Sequence, residues 1–283
     1  MSIHLLVTGA TGFTGRRVVR ALRRDGHRVR AFLRTTSDRS VLPADVDVAR
    51  GDLADPATLA QALVGCDGLV GVASLGRGHA PGIVEAARLA RISRSVFVGT
   101  TAVRTAVASA SKTVRLEAER SVLEGGIGAT LIRPTMIYGA PGDRNLERLL
   151  RFVARWPIVP IPGSGRGLQQ PVHVDDVADA IAAVTPRGDL AGRAFDVAGP
   201  QPLTFRDLVR TVVRVLGRRR LLVRVPAFLA RVVASREQVA RLAEDKSCDV
   251  TAARLAFAFE PRALEDGVRS EALELGLLRG AAR

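Results

Sequence analysis

The stretch Thr8-Gly9-Ala10-Thr11-Gly12-Phe13-Thr14-Gly15 lies between a strand-like run, residues 3–7, and residues 16–24, where apolar side chains recur at helical spacing. Its three glycines have separate uses. Gly9 permits a tight turn, Gly12 lets the backbone approach a pyrophosphate, and Gly15 lets the helix lie close against the strand. The helix N-terminus adds unpaired N–H groups and a positive dipole end. A strand before and a helix after turn a weak glycine pattern into a specific one. The loop, with Thr11, Phe13 and Thr14 between its glycines, is therefore expected to hold the phosphates of a dinucleotide.

Outward from this loop, strand-like and helix-like runs alternate. The strands are predicted at 3–7, 28–33, 46–49, 68–72, 95–98 and 130–133, and the helices at 16–24, 56–64, 81–92 and 112–123. Short strands alternating with helices predict an α/β fold, a Rossmann-type doubly wound parallel sheet. After Arg133 the regularity breaks at Pro134, Pro141, Pro157, Pro160, Pro162 and Pro171. Two further helix-like runs, 205–216 and 226–234, follow. The expected division is a dinucleotide-binding domain at 1–133 with part of 171–200, and a smaller substrate lobe at 134–170 and 201–283.

The 283 residues are 47% hydrophobic and 25% charged, which excludes disordered and fibrous chains. There are 42 Lys and Arg against 28 Asp and Glu, a net charge of +14, and all the cations but Lys112 and Lys246 are Arg. These arginines are spread along the chain and are not interleaved with aromatics, so nucleic acid is not the expected partner. A positive field also favours phosphorylated small ligands. Two distant cysteines, Cys66 and Cys248, supply neither a disulfide framework nor a zinc cluster, and no metal is expected. No apolar run reaches the ~18 residues that cross a bilayer. With no targeting segment ahead of the first strand, the expectation is a cytoplasmic protein without a membrane partner.

The end of the second strand bears on the choice of cofactor. An acid there would hold the ribose 2′-hydroxyl of NAD, whereas an arginine accommodates the 2′-phosphate of NADP. Arg34 occupies the position, so NADP(H) is favoured, with NAD(H) the alternative. Asp52 and Leu53, after the third strand, are placed at the adenine end.

At these residues the chain resembles the short-chain dehydrogenase/reductase superfamily, in its extended or atypical branch of NAD-dependent epimerase/dehydratase-like proteins. Thr8–Gly15 resembles the branch's glycine motif and Gly51-Asp52-Leu53 its adenine-side motif. Residues 70–74, including Ala73 and Ser74, resemble the strand end beside the nicotinamide ribose. The segment from Arg133 through Pro134 and Met136 to Gly139 resembles the family's arginine-proline segment that closes over the cofactor. Residues 171–178 resemble the return from the substrate lobe. The resemblance implies a Tyr-x-x-x-Lys pair, but its spacing places Ser111 at the tyrosine and Arg115 at the lysine. Lys112 lies one helical turn from Arg115 and shares its face. It is a candidate for holding the ribose or donating a proton, as a lysine near this helix does in the related isoflavone reductase-like enzymes. Thr101 matches the substrate-orienting hydroxyl and Thr100 stands beside it. Tyr138 and His173 are expected to pack rather than react.

Three functions follow from this reading. The first is an oxidoreductase that moves hydride between NADP(H) and a small organic substrate through a non-standard active site. The others are a sugar-nucleotide epimerase or dehydratase, and a non-catalytic dinucleotide-binding sensor or assembly protein.

Overall fold

The computed structural model describes residues 2–105, 110–143, 145–226 and 245–278. They form two compact units. The first comprises Met1–Pro134, Asp175–Val197 and Val250–Phe259, and the second Thr135–Val174, Ala198–Asp249 and Glu260–Arg283.

In the first unit the chain runs through β1 (His4–Thr8), α1 (Phe13–Arg24), β2 (Arg28–Leu33), β3 (Asp47–Arg50), α2 (Pro56–Leu63), β4 (Gly68–Gly71), α3 (Ala80–Leu89), β5 (Ser95–Val98), α4 (Ala110–Glu124) and β6 (Ala129–Pro134). A seventh strand, Ala194–Val197, pairs with β6. All seven strands are parallel, in the order Ala194–Val197, β6, β5, β4, β1, β2, β3. β1 and β4 are buried on both faces, which is why Leu5-Leu6-Val7 and Leu69-Val70 read as continuous apolar runs. The order reverses between β1 and β4. In an open α/β sheet that reversal leaves a crevice outside the carboxyl ends of the strands.

Helix α1 begins at Phe13, three residues before its predicted start, because Gly12 with φ −71° and ψ 170° serves as its N-cap. It turns Val18, Val19, Ala21 and Leu22 inward. α3 stops at Leu89, three residues before its predicted end, and Arg91 follows in the left-handed region with φ 57°. Of the predicted run 226–234, residues 227–234 lie outside the described residues.

The core of the second unit gathers Leu146, Leu150 and Val153 of α5 (Leu146–Arg155) with Val159, Ile161, Leu208, Val212 and Val268. Tyr138 is buried and meets the His173 ring edge-on at 5.3 Å. A Cβ on Gly139, whose φ is +115°, would come within 2.2 Å of that ring, and one on Gly267 within 2.2 Å of the Tyr138 hydroxyl. Both aromatic side chains are thus built into the packing.

Beneath them Glu271 is fully buried, and its Oε2 accepts from Gly139 N at 3.1 Å. Burial, with buried Asp143 nearby, pushes the Glu271 carboxyl up to about 8 from 4.5. A raised folded-state value means the native form resists ionisation. The contribution of Glu271 to stability should be fully present below about pH 4.5, be lost as pH rises toward about 8, and level off above. Glu271→Gln removes this slope. The variant is expected to unfold at higher denaturant than the parent at pH 9, by about 1–2 kcal/mol after the cost of burying an amide, with the gap closing by pH 5. Chemical denaturation across pH 5–9 checks this, and a constant gap would contradict it.

Candidate functional site

The carboxyl ends of β1, β2, β3 and β4 enclose a cleft of about 610 Å³ within the first unit, a size suited to a small-molecule cofactor. Its floor is the glycine loop. Gly9 has φ +69°, and a Cβ there would lie 2.7 Å from Ala73 N, so the loop is seated on the chain leaving β4. A Cβ on Gly15 would lie 2.0 Å from Gly9 O, which fixes how closely α1 approaches the turn. Gly12 N donates to Gly9 O at 3.0 Å and closes the turn.

The start of α1 has no side-chain cap and no acid in its first turn. Its N–H groups and dipole end are left for an external anion. A Cβ at Gly12 meets only Gly9 O, at 3.2 Å, so the space above the helix start is open. Open space, free donors and a positive end are what a pyrophosphate requires.

Arg34 lies exposed at the end of β2 and lines the cleft. Its carbonyl accepts from Ser37 N at 3.0 Å and from Arg50 Nη1 at 3.2 Å, which holds the loop in place while leaving the guanidinium unused. Among the described residues no carboxylate forms an ion pair with Arg34. Asp52 and Leu53 line the same cleft after β3. Asp52 Oδ1 accepts from Ala54 N at 2.9 Å, and the cap of α2 is Asp55, which accepts from Ala57 N at 3.0 Å. Ala73 and Ser74 line it from the end of β4. Arg77, His79 and Ser37 also line it and were not read from the sequence. A one-turn helix, Leu75–Arg77, returns the chain to the cleft, and such a turn carries no periodic signal.

Thr11 lines the cleft, but Phe13, Thr14, Thr100, Thr101, Ser111, Lys112, Arg133, Pro134 and Met136 are not among its lining residues. Thr100 Oγ1 accepts from Ala102 N at 3.2 Å as a local cap, and Thr101 Oγ1 donates to Pro134 O at 3.4 Å. Ser111 is exposed in the first turn of α4. Lys112 Nζ donates to Thr105 O at 2.5 Å. Arg115 packs over Gly76, where a Cβ would meet its Nε at 3.0 Å.

Arg133 is held by Glu119, its Nε and Nη2 donating to Glu119 Oε2 at 2.9 and 2.7 Å. The pair is largely buried, and Glu119 comes so close to Gly99 that a Cβ there would sit 2.5 Å from Oε1. The arginine thereby ties α4 to β6. Met136 belongs to the second unit and packs against its core.

Among the described residues no group of His, Cys, Asp and Glu is arranged to hold a metal ion, and no helix is long and apolar enough to cross a membrane.

A family model described as NAD(P)H-binding matches residues 9–185. Ceramide reductase of Caulobacter vibrioides is 29% identical over 232 residues, covering 78% of this chain and 73% of its own. The (4-alkanoyl-5-oxo-2,5-dihydrofuran-3-yl)methyl phosphate reductase of Streptomyces griseus is 31% identical over 221 residues, covering 76% of this chain and 74% of its own. The crystal structure of a nucleoside-diphosphate-sugar epimerase from Pseudomonas aeruginosa superposes with a TM-score of 0.82 over 98% of both chains, at 19% identity. At that identity the likeness is one of fold.

Proposed function

The chain belongs to the NAD(P)H-binding family, and we propose that it is an NADP(H)-preferring oxidoreductase of the epimerase/dehydratase-like branch of the short-chain dehydrogenase/reductases, acting on a small organic substrate. The observation that carries this reading is Arg34. Among the described residues it has no ion-pair partner, and it stands in the cleft wall at the end of β2, where a ribose-holding acid would select NAD. The relatives named as reductases support hydride transfer as the reaction class.

In this reading Gly9, Gly12 and the first N–H groups of α1 hold the pyrophosphate, and Arg34 holds the 2′-phosphate. Asp52 and Leu53 border the adenine, and Ala73 and Ser74 border the path toward the nicotinamide. When bound, the cofactor supplies the hydride. The protein must place the acceptor carbon and deliver a proton to its oxygen. Ser111 is an alcohol far harder to ionise than a phenol, so a simple replacement of tyrosine by serine does not supply that proton. Lys112 is the proposed source or relay, with its ammonium on the α4 face that also carries Arg115, and Thr101 is the proposed orienting hydroxyl.

The test is NADPH carrying deuterium at C4, incubated with the full chain and a panel of ketones and 3-oxo acids. Deuterium on the product's carbinol carbon is the expected result. Lys112→Ala should cut turnover about tenfold, the loss of one hydrogen bond from a charged group. Binding of NADPH without label transfer to any carbonyl, together with unchanged behaviour in Lys112→Ala, would favour a sensor.

A further inference from the structure

The second unit contains a parallel pair of strands, Ile158–Pro162 and Leu221–Val225, whose residues are apolar apart from Arg224. The register sets Ile158 beside Leu221, Val159 beside Leu222 and Pro160 beside Val223. Successive residues of a strand point to opposite faces, so the first and third pairs look one way and the middle pair the other. Val159 and Ile161 enter the core, with Leu222 packed against it. On the opposite face Ile158 is 53% exposed, Leu221 63% and Val223 37%.

The same surface continues onto the end of α5. Trp156 is 50% exposed and Phe152 37%, with their rings 6.4 Å apart. Arg220 ties the two elements together, donating from Nε to Val153 O at 2.7 Å and from Nη2 to Ala154 O at 2.9 Å, and Leu221 N donates to Pro157 O at 3.0 Å. A strand pair with one face on a core normally turns polar residues outward. A contiguous apolar surface in their place marks an interaction site.

Its rim is cationic. Arg155 lies over the Trp156 ring at 5.7 Å, and Arg218 and Arg219, which lead into Leu221, are exposed. Among the described residues no carboxylate pairs with any of these three, whereas the neighbouring Arg151 and Arg214 are paired with Glu147 and Glu265. This imbalance selects the occupant. A second copy meeting this face about a two-fold axis would set arginines against arginines. Nucleic acid would meet an aliphatic centre with no donor for a base edge. An anionic bilayer satisfies both parts, taking the aliphatic side chains at the acyl boundary, the tryptophan at headgroup level and the guanidinium groups on lipid phosphates.

We infer that the face formed by Ile158, Leu221, Val223, Phe152 and Trp156 with its arginine rim docks the protein on the surface of membranes containing anionic lipid. Such docking needs no spanning helix, and it departs from the sequence expectation of no membrane partner. It is independent of the cofactor reading.

Trp156 is the sole tryptophan, so intrinsic fluorescence reports on this face directly. The test mixes the full chain with vesicles of phosphatidylcholine alone or with about 30% phosphatidylserine, an anionic surface that attracts basic segments. The expected result is a blue-shifted emission and co-flotation with the anionic vesicles, weakening as salt is raised. Leu221→Glu should abolish both. Arg218→Ala and Arg219→Ala should each weaken binding about fivefold, the effect of about 1 kcal/mol per surface cation. All three substitutions are at exposed positions and should leave the unfolding transition unchanged. The inference is overturned if anionic vesicles produce no shift, or if Leu221→Glu and the arginine variants bind as the parent does. A shift produced by single-stranded oligonucleotide or by raised protein concentration, and not by vesicles, would overturn it in favour of nucleic acid or a second copy.

Discussion

Gly12→Asp is expected to lower dinucleotide affinity by about 10²–10³-fold while leaving the fold intact or slightly more stable. The backbone at Gly12, φ −71° and ψ 170°, is open to any L residue and is the conformation of a helix N-cap. Aspartate is among the best N-cap residues, so its carboxylate should accept from the N–H groups that Gly12 leaves free, adding a few tenths of a kcal/mol of stability. Those are the donors proposed to hold the pyrophosphate. A carboxylate about 4 Å from a phosphate at an effective dielectric constant near 20 also repels it by roughly 4 kcal/mol, before screening by salt. Stability and binding should therefore move in opposite directions, which separates this variant from one that merely misfolds. Gly15→Ala could not make that separation, since its Cβ would strike Gly9 O at 2.0 Å. Thermal unfolding and a fluorescence titration with NADPH, on the same preparation, check the result. Unchanged NADPH affinity would remove the phosphate from the start of α1.

Arg34→Ala is expected to weaken NADPH by about 10–100-fold and NADH by less than about twofold, because a charge-assisted hydrogen bond to a phosphate is worth about 1.5–3 kcal/mol and NADH offers no such group. The loop that carries Arg34 is held through main-chain carbonyls, by Ser37 N and by Arg50. Truncating the side chain should thus leave the cleft's shape alone. Equal loss for the two cofactors would refute a 2′-phosphate role, and Arg34 would then be a solvated cation in an arginine-rich chain.

The first unit is legible in the sequence because its signals are local and repeated. Short apolar runs such as Leu5–Val7 and helical periods such as Val18, Val19 and Leu22 alternate at the spacing that a parallel sheet requires. The lining of the cleft is legible for the same reason, since Gly9, Arg34, Asp52, Ala73 and Ser74 follow strand ends and Gly12 caps α1. The second unit hides its strands. Pro157, Pro160 and Pro162 read as breakers, yet Pro160 and Pro162 sit within a strand whose partner is some sixty positions away in the chain, and a two-stranded pair can accept residues that lack an N–H. Arg133 and Lys112 show a different limit. The resemblance places both at the cofactor, and the structure gives each a partner that no motif announces, Glu119 for Arg133 and the Thr105 carbonyl for Lys112. Which partner a cation takes is settled by tertiary neighbours rather than by a motif. Arg77 and His79 went unread because the turn that brings them to the cleft has no sequence period.

The central claim is that the cleft at the ends of β1–β4 holds NADP(H) in preference to NAD(H). Its most direct test is calorimetric titration of NADPH and of NADH into the full chain, purified without added nucleotide and with any co-purifying dinucleotide identified by mass spectrometry. One molecule of NADPH per chain, bound at least about tenfold more tightly than NADH, is the predicted result. Near-stoichiometric NAD⁺ retained through purification, or equal affinity for the two reduced cofactors, would contradict it.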